Sequence, residues 1–212
     1  MRAIGFKKMA LAAAVCALAV PLLADDTDTT NQPPVPVMTP ADFAWDAGMV
    51  NLEEIRLGEA TRTNTENKAV QQFGMHMVRD HTRLNDRLER ISDKEGLQLP
   101  ENKTFYMEIT PPEEKPATEL MENSPQERLR ESQLDAQRLE TLTGADFDRA
   151  YADAMVKGHE KAVQMYESAA SSLTDPALKK YAEYGLHVVR HHLVMARKLD
   201  QEVNGTNAPP TQ

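Results

Sequence analysis

Apolar residues recur at alternating spacings of four and three through most of residues 40–200, which is the pattern of amphipathic helices. The clearest example is the run from Val70 to Ile91. His81 takes a position in the middle of its apolar face, where a hydrophobic residue is the default. Because a buried polar group without a partner is costly, this pattern predicts a polar contact inside the protein core.

Start and stop signals divide the pattern into five predicted helices. Thr39 and Asp175 each precede a proline and are suited to cap a helix start, and Gly96 is placed to end a helix. Four long helices and one shorter helix must bury their apolar faces on each other, and few residues favour strands. The sequence therefore predicts an all-α antiparallel four-helix bundle, with the shorter helix in the crossover between two helical hairpins. The predicted helices span residues 40–63, 66–95, 125–143, 145–171 and 176–202.

The segment 1–24 has the composition of a secretory signal peptide. Three basic residues precede an apolar run from Met9 to Leu23, and Ala24 ends the segment before two acidic residues. We expect cleavage after Ala24 and export to the periplasm or beyond. The single cysteine, Cys16, lies inside this segment, so the mature chain would contain no thiol and no thiolate metal ligand.

The rest of the chain divides by composition. Residues 25–38 are rich in Asp, Thr and Pro, and we interpret them as a disordered tether. The helical bundle is assigned to residues 39–203, with a long loop at 97–123 that is rich in acidic residues and proline. Residues 204–212 form a polar tail.

Charge limits the classes of partner. Removal of the leader takes away three of the 24 Lys and Arg residues and none of the 33 Asp and Glu residues, which leaves a formal charge of −12. Such an acidic chain is poorly suited to bind nucleic acid or an anionic membrane surface. No apolar run after the leader is long enough to span a bilayer. The remaining partners are a metal ion, another protein or a second copy of the chain.

Four polar residues occupy core positions, one on each long predicted helix: Glu54, His81, His159 and His192. Inward-facing Glu and His side chains on facing helices are how bundle cores build metal sites. Counted from the hairpin turns at about 1.5 Å per residue, the three histidines fall within roughly 6 Å along the bundle axis. Glu54 lies nearer its turn, so it could join the histidines or belong to a separate network with His76.

The predicted metal ligands are therefore His81, His159 and His192, with Glu54 as a fourth ligand or a nearby base. Asp80 and His76 share a flank of the second helix and suit supporting contacts. Imidazole and carboxylate without thiolate fit zinc, copper, iron or nickel, and do not choose among them. The Glu-x-x-His signature of di-iron bundles is absent, because valine stands three positions before each histidine.

Several short segments carry a family resemblance: Glu54–Gly58, Met77–His81, Gly144–Tyr151, His159–Glu160 and His192–Leu193. Together they resemble an exported bacterial family of unknown function with a ferritin-like four-helix bundle, whose members are labelled as outer membrane or exported proteins. The resemblance covers nearly all of residues 41–200 and implies the ferritin-like bundle and export, but no reaction. The polar core that it implies comprises Glu54, Asp80, His81, Asp148, Tyr151, His159 and His192.

Three functions remain open from the sequence. The first is a protein that binds a single transition metal ion for storage, buffering or stress protection, in which Asp80 and Tyr151 orient the ligands. The second is a metal-free structural or interaction protein whose core histidines and acids form a hydrogen-bond network that fixes helix register. The third is an oxidoreductase, which the missing di-iron signature disfavours.

Overall fold

The computed structural model describes residues 38–101 and 125–205. Within these two ranges the chain forms five α-helices and no strand. The first 24 residues and the segment 25–37 lie outside the described part, as do most of the predicted loop and the last seven residues. The helices are α1 Pro40–Asn64, α2 Lys68–Glu95, α3 Pro125–Glu140, α4 Gly144–Ser172 and α5 Pro176–Asn204.

Local signals in the sequence set the helix ends. The Thr39 hydroxyl accepts a hydrogen bond from the Asp42 amide at 3.1 Å, and the Asp175 carboxylate accepts one from the Leu178 amide at 2.7 Å. Gly96 ends α2 in the left-handed region with φ 66°, where glycine carries no steric penalty. These three predicted caps are confirmed. The start of α2 differs by two residues from the prediction, because the Asn67 side chain caps the helix.

The long helices form an antiparallel four-helix bundle with α3 on its outside, which confirms the predicted architecture. Residues 65–67 join α1 to α2, and residues 173–175 join α4 to α5, so each pair is a tight hairpin. Among the described helices, none is both long and apolar enough to cross a membrane.

The short helix α3 lies against the outer face of α1, where polar contacts hold it together with buried Ala136 and Leu139. Arg56 on α1 is 7 % exposed and makes two hydrogen bonds of 2.7 Å to the Glu140 carboxylate. The Ser132 hydroxyl donates to Glu53 at 2.8 Å, and burial raises the pKa of Glu53 to about 7. Because α3 covers its outer face, α1 is buried on more than one side.

A layer of polar residues divides the bundle core into two apolar clusters, and we call it the histidine layer. It consists of Asn51, Glu54, His81, His159 and His192. On each long helix the layer lies between an apolar residue of one cluster and an apolar residue of the other. On α2, for example, Met77 and Leu84 flank His81. The first cluster includes Phe43, Leu88, Tyr166, Leu178, Tyr181 and Val189, and the second includes Leu57, Val70, Phe73, Phe147, Tyr151 and Met155.

Candidate metal centre

The bundle brings together the three core histidines that the sequence predicts. His81 is 0 % exposed, and His159 and His192 are each 1 % exposed. Their ring centroids are separated by 5.2 to 5.9 Å, and one ring nitrogen from each lies within 4.8 Å of the other two. Within residues 38–101 and 125–205, no other group of His, Cys, Asp and Glu meets this spacing.

His81 is held from α1 by an amide that the sequence did not single out. Its Nδ1 lies 3.1 Å from Oδ1 of Asn51, and the Asn51 Nδ2 donates to the Tyr181 hydroxyl at 3.1 Å. The Tyr181 hydroxyl is in turn 3.3 Å from that of Tyr166, which packs so closely on α5 that a Cβ at Gly185 would overlap its ring. Because the Asn51 nitrogen donates to Tyr181, the Asn51 oxygen faces His81 and accepts a hydrogen bond from its Nδ1.

His159 is held by the backbone of its own helix. Its Nδ1 donates to the Met155 carbonyl oxygen at 2.8 Å. The Glu54 carboxyl group approaches the same nitrogen, with Oε1 at 3.5 Å. The Glu54 side chain therefore lies behind the ring, on the Nδ1 side.

His192 is held by a carboxylate at the edge of the bundle. Its Nε2 donates to Oδ2 of Asp80 at 3.2 Å. Asp80 also accepts two hydrogen bonds from Arg79, at 2.8 and 3.0 Å, and this guanidinium is the main reason that the pKa of Asp80 is lowered to about 2. The Asp80 side chain is 22 % exposed, so it connects the buried ring to the surface.

Burial keeps all three imidazoles neutral. Loss of hydration lowers the pKa of His159 and of His192 to about 4, and it lowers that of His81 well below its usual range. The neighbouring histidines lower the pKa of His81 and His192 further, since two protonated rings would repel each other. Neutral imidazole is the form that binds a metal ion.

Each histidine keeps one buried ring nitrogen that has no hydrogen-bond partner within the described part of the chain: Nε2 of His81, Nε2 of His159 and Nδ1 of His192. In each ring the opposite nitrogen carries the only proton and donates it to an amide, a carbonyl or a carboxylate oxygen. The three unpartnered nitrogens therefore present lone pairs. Leaving a buried polar atom unpaired costs about 1–3 kcal/mol, and one bound ion would pair all three nitrogens.

The donor set fits a first-row transition ion. Metal-bound histidines donate their second ring nitrogen to a carboxylate or backbone carbonyl, and such partners hold two of these rings. Zinc lies about 2.0–2.1 Å from imidazole nitrogen, which places three ligands about 3.4 Å apart. In the structure one ring nitrogen of each histidine lies within 4.8 Å of the other two, so binding of an ion requires these atoms to move closer together.

The other predicted site residues lie around this centre at different distances. Tyr151 and Asp148 precede His159 by eight and eleven residues on α4, which places them about 12 and 16 Å from its level along the helix axis. Tyr151 is fully buried, and its pKa is raised well above 10 by burial and by nearby Glu54. Glu54 itself is neutral over much of the physiological range, because burial raises its pKa to about 8. His76 is half-buried and lines a groove between α2 and α5.

Sequence reasoning missed Asn51. One face of α1 at helical spacing runs through Ala47, Val50 and Glu54, but Val50 is half-buried and Asn51 is fully buried. Asn51 fits the same spacing, since it lies four residues after Ala47 and three before Glu54. Because α3 covers a second face of α1, residues on more than one side of α1 are buried. The sequence pattern therefore does not separate the inner positions of α1 from its outer positions.

The family and fold of the chain follow from its similarity to known proteins. No curated protein matches it. A solved structure from Streptomyces coelicolor, described as a secreted DUF305 protein, is similar with a TM-score of 0.56 and 14 % identity, over 76 % of this chain and 91 % of that one. This likeness confirms the ferritin-like helical fold. The domain of unknown function DUF4142 matches residues 25–199, and the chain therefore belongs to the DUF4142 family.

Proposed function

We propose that this protein binds a single transition metal ion through His81, His159 and His192, and that it stores or buffers the ion or limits its toxicity. The three unpartnered nitrogens of these buried, neutral rings are the observation that carries the proposal. They come from three different helices, so a bound ion would also hold α2, α4 and α5 together.

The surrounding groups support binding without being ligands themselves. The ring N–H groups donate hydrogen bonds to Asn51, the Met155 carbonyl and Asp80. These bonds orient the lone pairs of the opposite ring nitrogens. Glu54 contacts His159 on its protonated side, with Oε1 3.5 Å from Nδ1, and so lies away from the nitrogen that would bind the ion. The carboxylate of Asp80 supplies a negative charge that compensates part of the charge of the ion.

We also propose that the protein works after export. The leader-like segment 1–24 supports this location, and the family match begins at residue 25, directly after the expected cleavage site. The structurally similar protein is described as secreted. Metal supply outside the cytoplasm varies widely, which gives a purpose to a buffering site.

Elemental analysis of protein isolated from its native compartment tests the proposal. We expect one transition metal ion per chain, and we expect His81→Ala combined with His159→Ala to abolish it. The purified apoprotein should melt at a higher temperature with one divalent or monovalent transition ion than with others, because an ion that binds only the folded state stabilises it by mass action. At a hundredfold excess over its dissociation constant the gain is about 2.7 kcal/mol.

The rival function is a metal-free network that fixes helix register, and the Asn51–Tyr181–Tyr166 chain of hydrogen bonds favours it locally. In that case the histidine variants lose stability to the same extent with metal and with chelator. His187→Ala is a matched control, since this histidine is on the surface of α5 and lies outside the centre. Native protein that contains no metal, together with melting that is indifferent to every ion, would rule out the proposed function.

A further inference from the structure

A groove lies on the surface between α2 and α5. It has a volume of about 310 Å³, and half-buried His76 and Met195 lie on its opposite walls. Phe73 and Leu199 also line it, and Lys198 and Glu202 lie towards its outer end. The groove therefore places an imidazole and a thioether beside apolar Phe73 and Leu199, and polar Gln72, Lys198 and Glu202 complete its walls.

The register of the two helices places this groove next to the metal centre. Asp80 on α2 contacts His192 on α5. His76 lies one turn before Asp80 on α2, and Met195 lies one turn after His192 on α5. Because the helices are antiparallel, both residues lie in the same direction from the Asp80–His192 contact, and both line the groove. One helical turn is about 5.4 Å, so the groove ends within reach of Asp80.

On the other side of Asp80, a side-chain contact bridges α2 and α5. The Arg87 guanidinium lies over the Tyr184 ring at 4.9 Å from its centroid and bridges α2 and α5 beyond Asp80. The three histidines are at most 1 % exposed, whereas the Asp80 side chain is 22 % exposed. Asp80, which contacts His192, is thus the point at which the histidine layer comes nearest the surface between α2 and α5, one helical turn from His76.

The ligand types in the groove favour a soft ion. Thioether sulfur selects Cu(I), whereas Zn(II) is bound mainly by imidazole, thiolate and carboxylate. We propose that the α2–α5 groove is a loading site for Cu(I), where His76 and Met195 hold the ion before it passes Asp80 and His192 to the three buried nitrogens. This inference rests on the proposed function, since it assigns a route to the same centre.

Transfer of Cu(I) from a chromogenic Cu(I) chelator under anaerobic, reducing conditions separates the route from the destination. The initial loss of chelator colour gives the loading rate, and its end point gives the affinity. We expect His76→Gln combined with Met195→Leu to slow loading about tenfold and to leave the end point within about twofold, because a transit site changes the rate and not the equilibrium. Zn(II) loading should be slowed far less, since it does not depend on the thioether.

The matched control replaces the same residue types outside the groove, with Met75→Leu and His187→Gln. Met75 is 58 % exposed beside His76, and His187 is on the surface of α5, so this variant should load as fast as the wild type. Equal loading rates for both variants would overturn the inference. A parallel loss of rate and end point would also overturn it, because His76 and Met195 would then belong to the final site. Failure of the wild-type protein to take up any metal would instead refute the proposed function.

Discussion

Asn51 on α1 and His81 on α2 share a fully buried hydrogen bond of 3.1 Å, and this bond decides which nitrogen of His81 can bind a metal ion. In the structure the Asn51 Nδ2 donates to the Tyr181 hydroxyl at 3.1 Å, and the amide oxygen is turned towards His81. This oxygen therefore holds the proton on Nδ1 of His81, and Nε2 keeps a free lone pair. A tyrosine on α5 thus controls a histidine on α2 through an amide on α1.

Replacement of Asn51 should weaken metal binding, although Asn51 is not itself a proposed ligand. In Asn51→Leu, His81 loses the acceptor that fixes its tautomer, and we expect metal affinity to fall about 10- to 100-fold. Titration against a competing chelator measures this change. Asn85→Leu is the control, because Asn85 bonds only Glu89 on the surface of α2 among the hydrogen bonds described. An Asn51 variant with the affinity of the wild type would show that the amide does not orient His81.

Removal of one hydroxyl group should reproduce part of this effect. Tyr181→Phe takes the acceptor away from the Asn51 amide, which is left buried and unpaired at a cost of about 1–3 kcal/mol in the free energy of unfolding. The amide is then free to rotate, so we expect metal affinity to fall as well. Tyr184→Phe is the matched control, since Tyr184 is 48 % exposed and its ring can still lie under Arg87. Equal urea unfolding curves for both variants would contradict the prediction.

The bundle could be predicted from the sequence because four long segments each keep one apolar face at helical spacing. The three histidines stand on those faces, so their convergence follows from the packing of the helices. The hydrogen-bond partners of the histidines are harder to predict from the sequence. His159 is held by the carbonyl of Met155, and a backbone atom has no signature in the sequence.

The position of Glu54 shows a second limit. Counting residues from the turns left open whether Glu54 joins the histidines, because the relative height of two hairpins depends on side-chain packing. In the structure its carboxyl group contacts Nδ1 of His159 and lies on the side of the ring away from the unpartnered nitrogen. Periodicity assigns a residue to a face of a helix, but it does not say which atom of a neighbour the side chain meets.

The attachment of α3 to α1 should depend in part on the partly buried Arg56–Glu140 ion pair, which acts beside the Arg128–Asp46 pair and the Ser132–Glu53 hydrogen bond. Arg56→Leu removes the partner of Glu140, and we expect a loss of about 1–3 kcal/mol, since Arg56 is 7 % exposed but the Glu140 side chain is 30 % exposed. The surface pair of Arg138 and Asp135 gives the control, because Arg138→Leu should cost less than about 1 kcal/mol. Limited proteolysis should cut α3 first in Arg56→Leu. Cleavage at the same rate in both variants would show that the Arg56–Glu140 pair does not hold α3 in place.

The pH dependence of metal binding should distinguish the buried centre from histidines on the surface. Protons compete for a ligand nitrogen only near its pKa, and burial lowers that of His159 and His192 to about 4. Because the neutral form persists down to this pKa, affinity should stay nearly constant from pH 7.5 to about 5.5 and be lost as the pH falls through about 4. Exposed histidines titrate near a pKa of about 6.5 and would release the ion much earlier. Chelator competition at several pH values measures this profile, and release centred near pH 6.5 would place the ion outside the core.

The stability of the metal-free protein should fall on the acid side for the same reason. The two histidines have a pKa of about 4 in the folded protein and the ordinary pKa of 6.5 in the unfolded chain, which therefore binds more protons between these values. Their contribution is complete above pH 6.5 and is lost as the pH falls towards 4, by up to about 3 kcal/mol for each ring.

Glu53 and Glu54 act in the opposite sense, because burial raises their pKa to about 7 and about 8, and their contribution is lost as the pH rises. Urea unfolding of the apoprotein should therefore show greatest stability near pH 6, and Glu54→Gln should flatten the decline towards pH 8. A Glu54→Gln curve that declines as steeply as that of the wild type would show that Glu54 is not held neutral in the core.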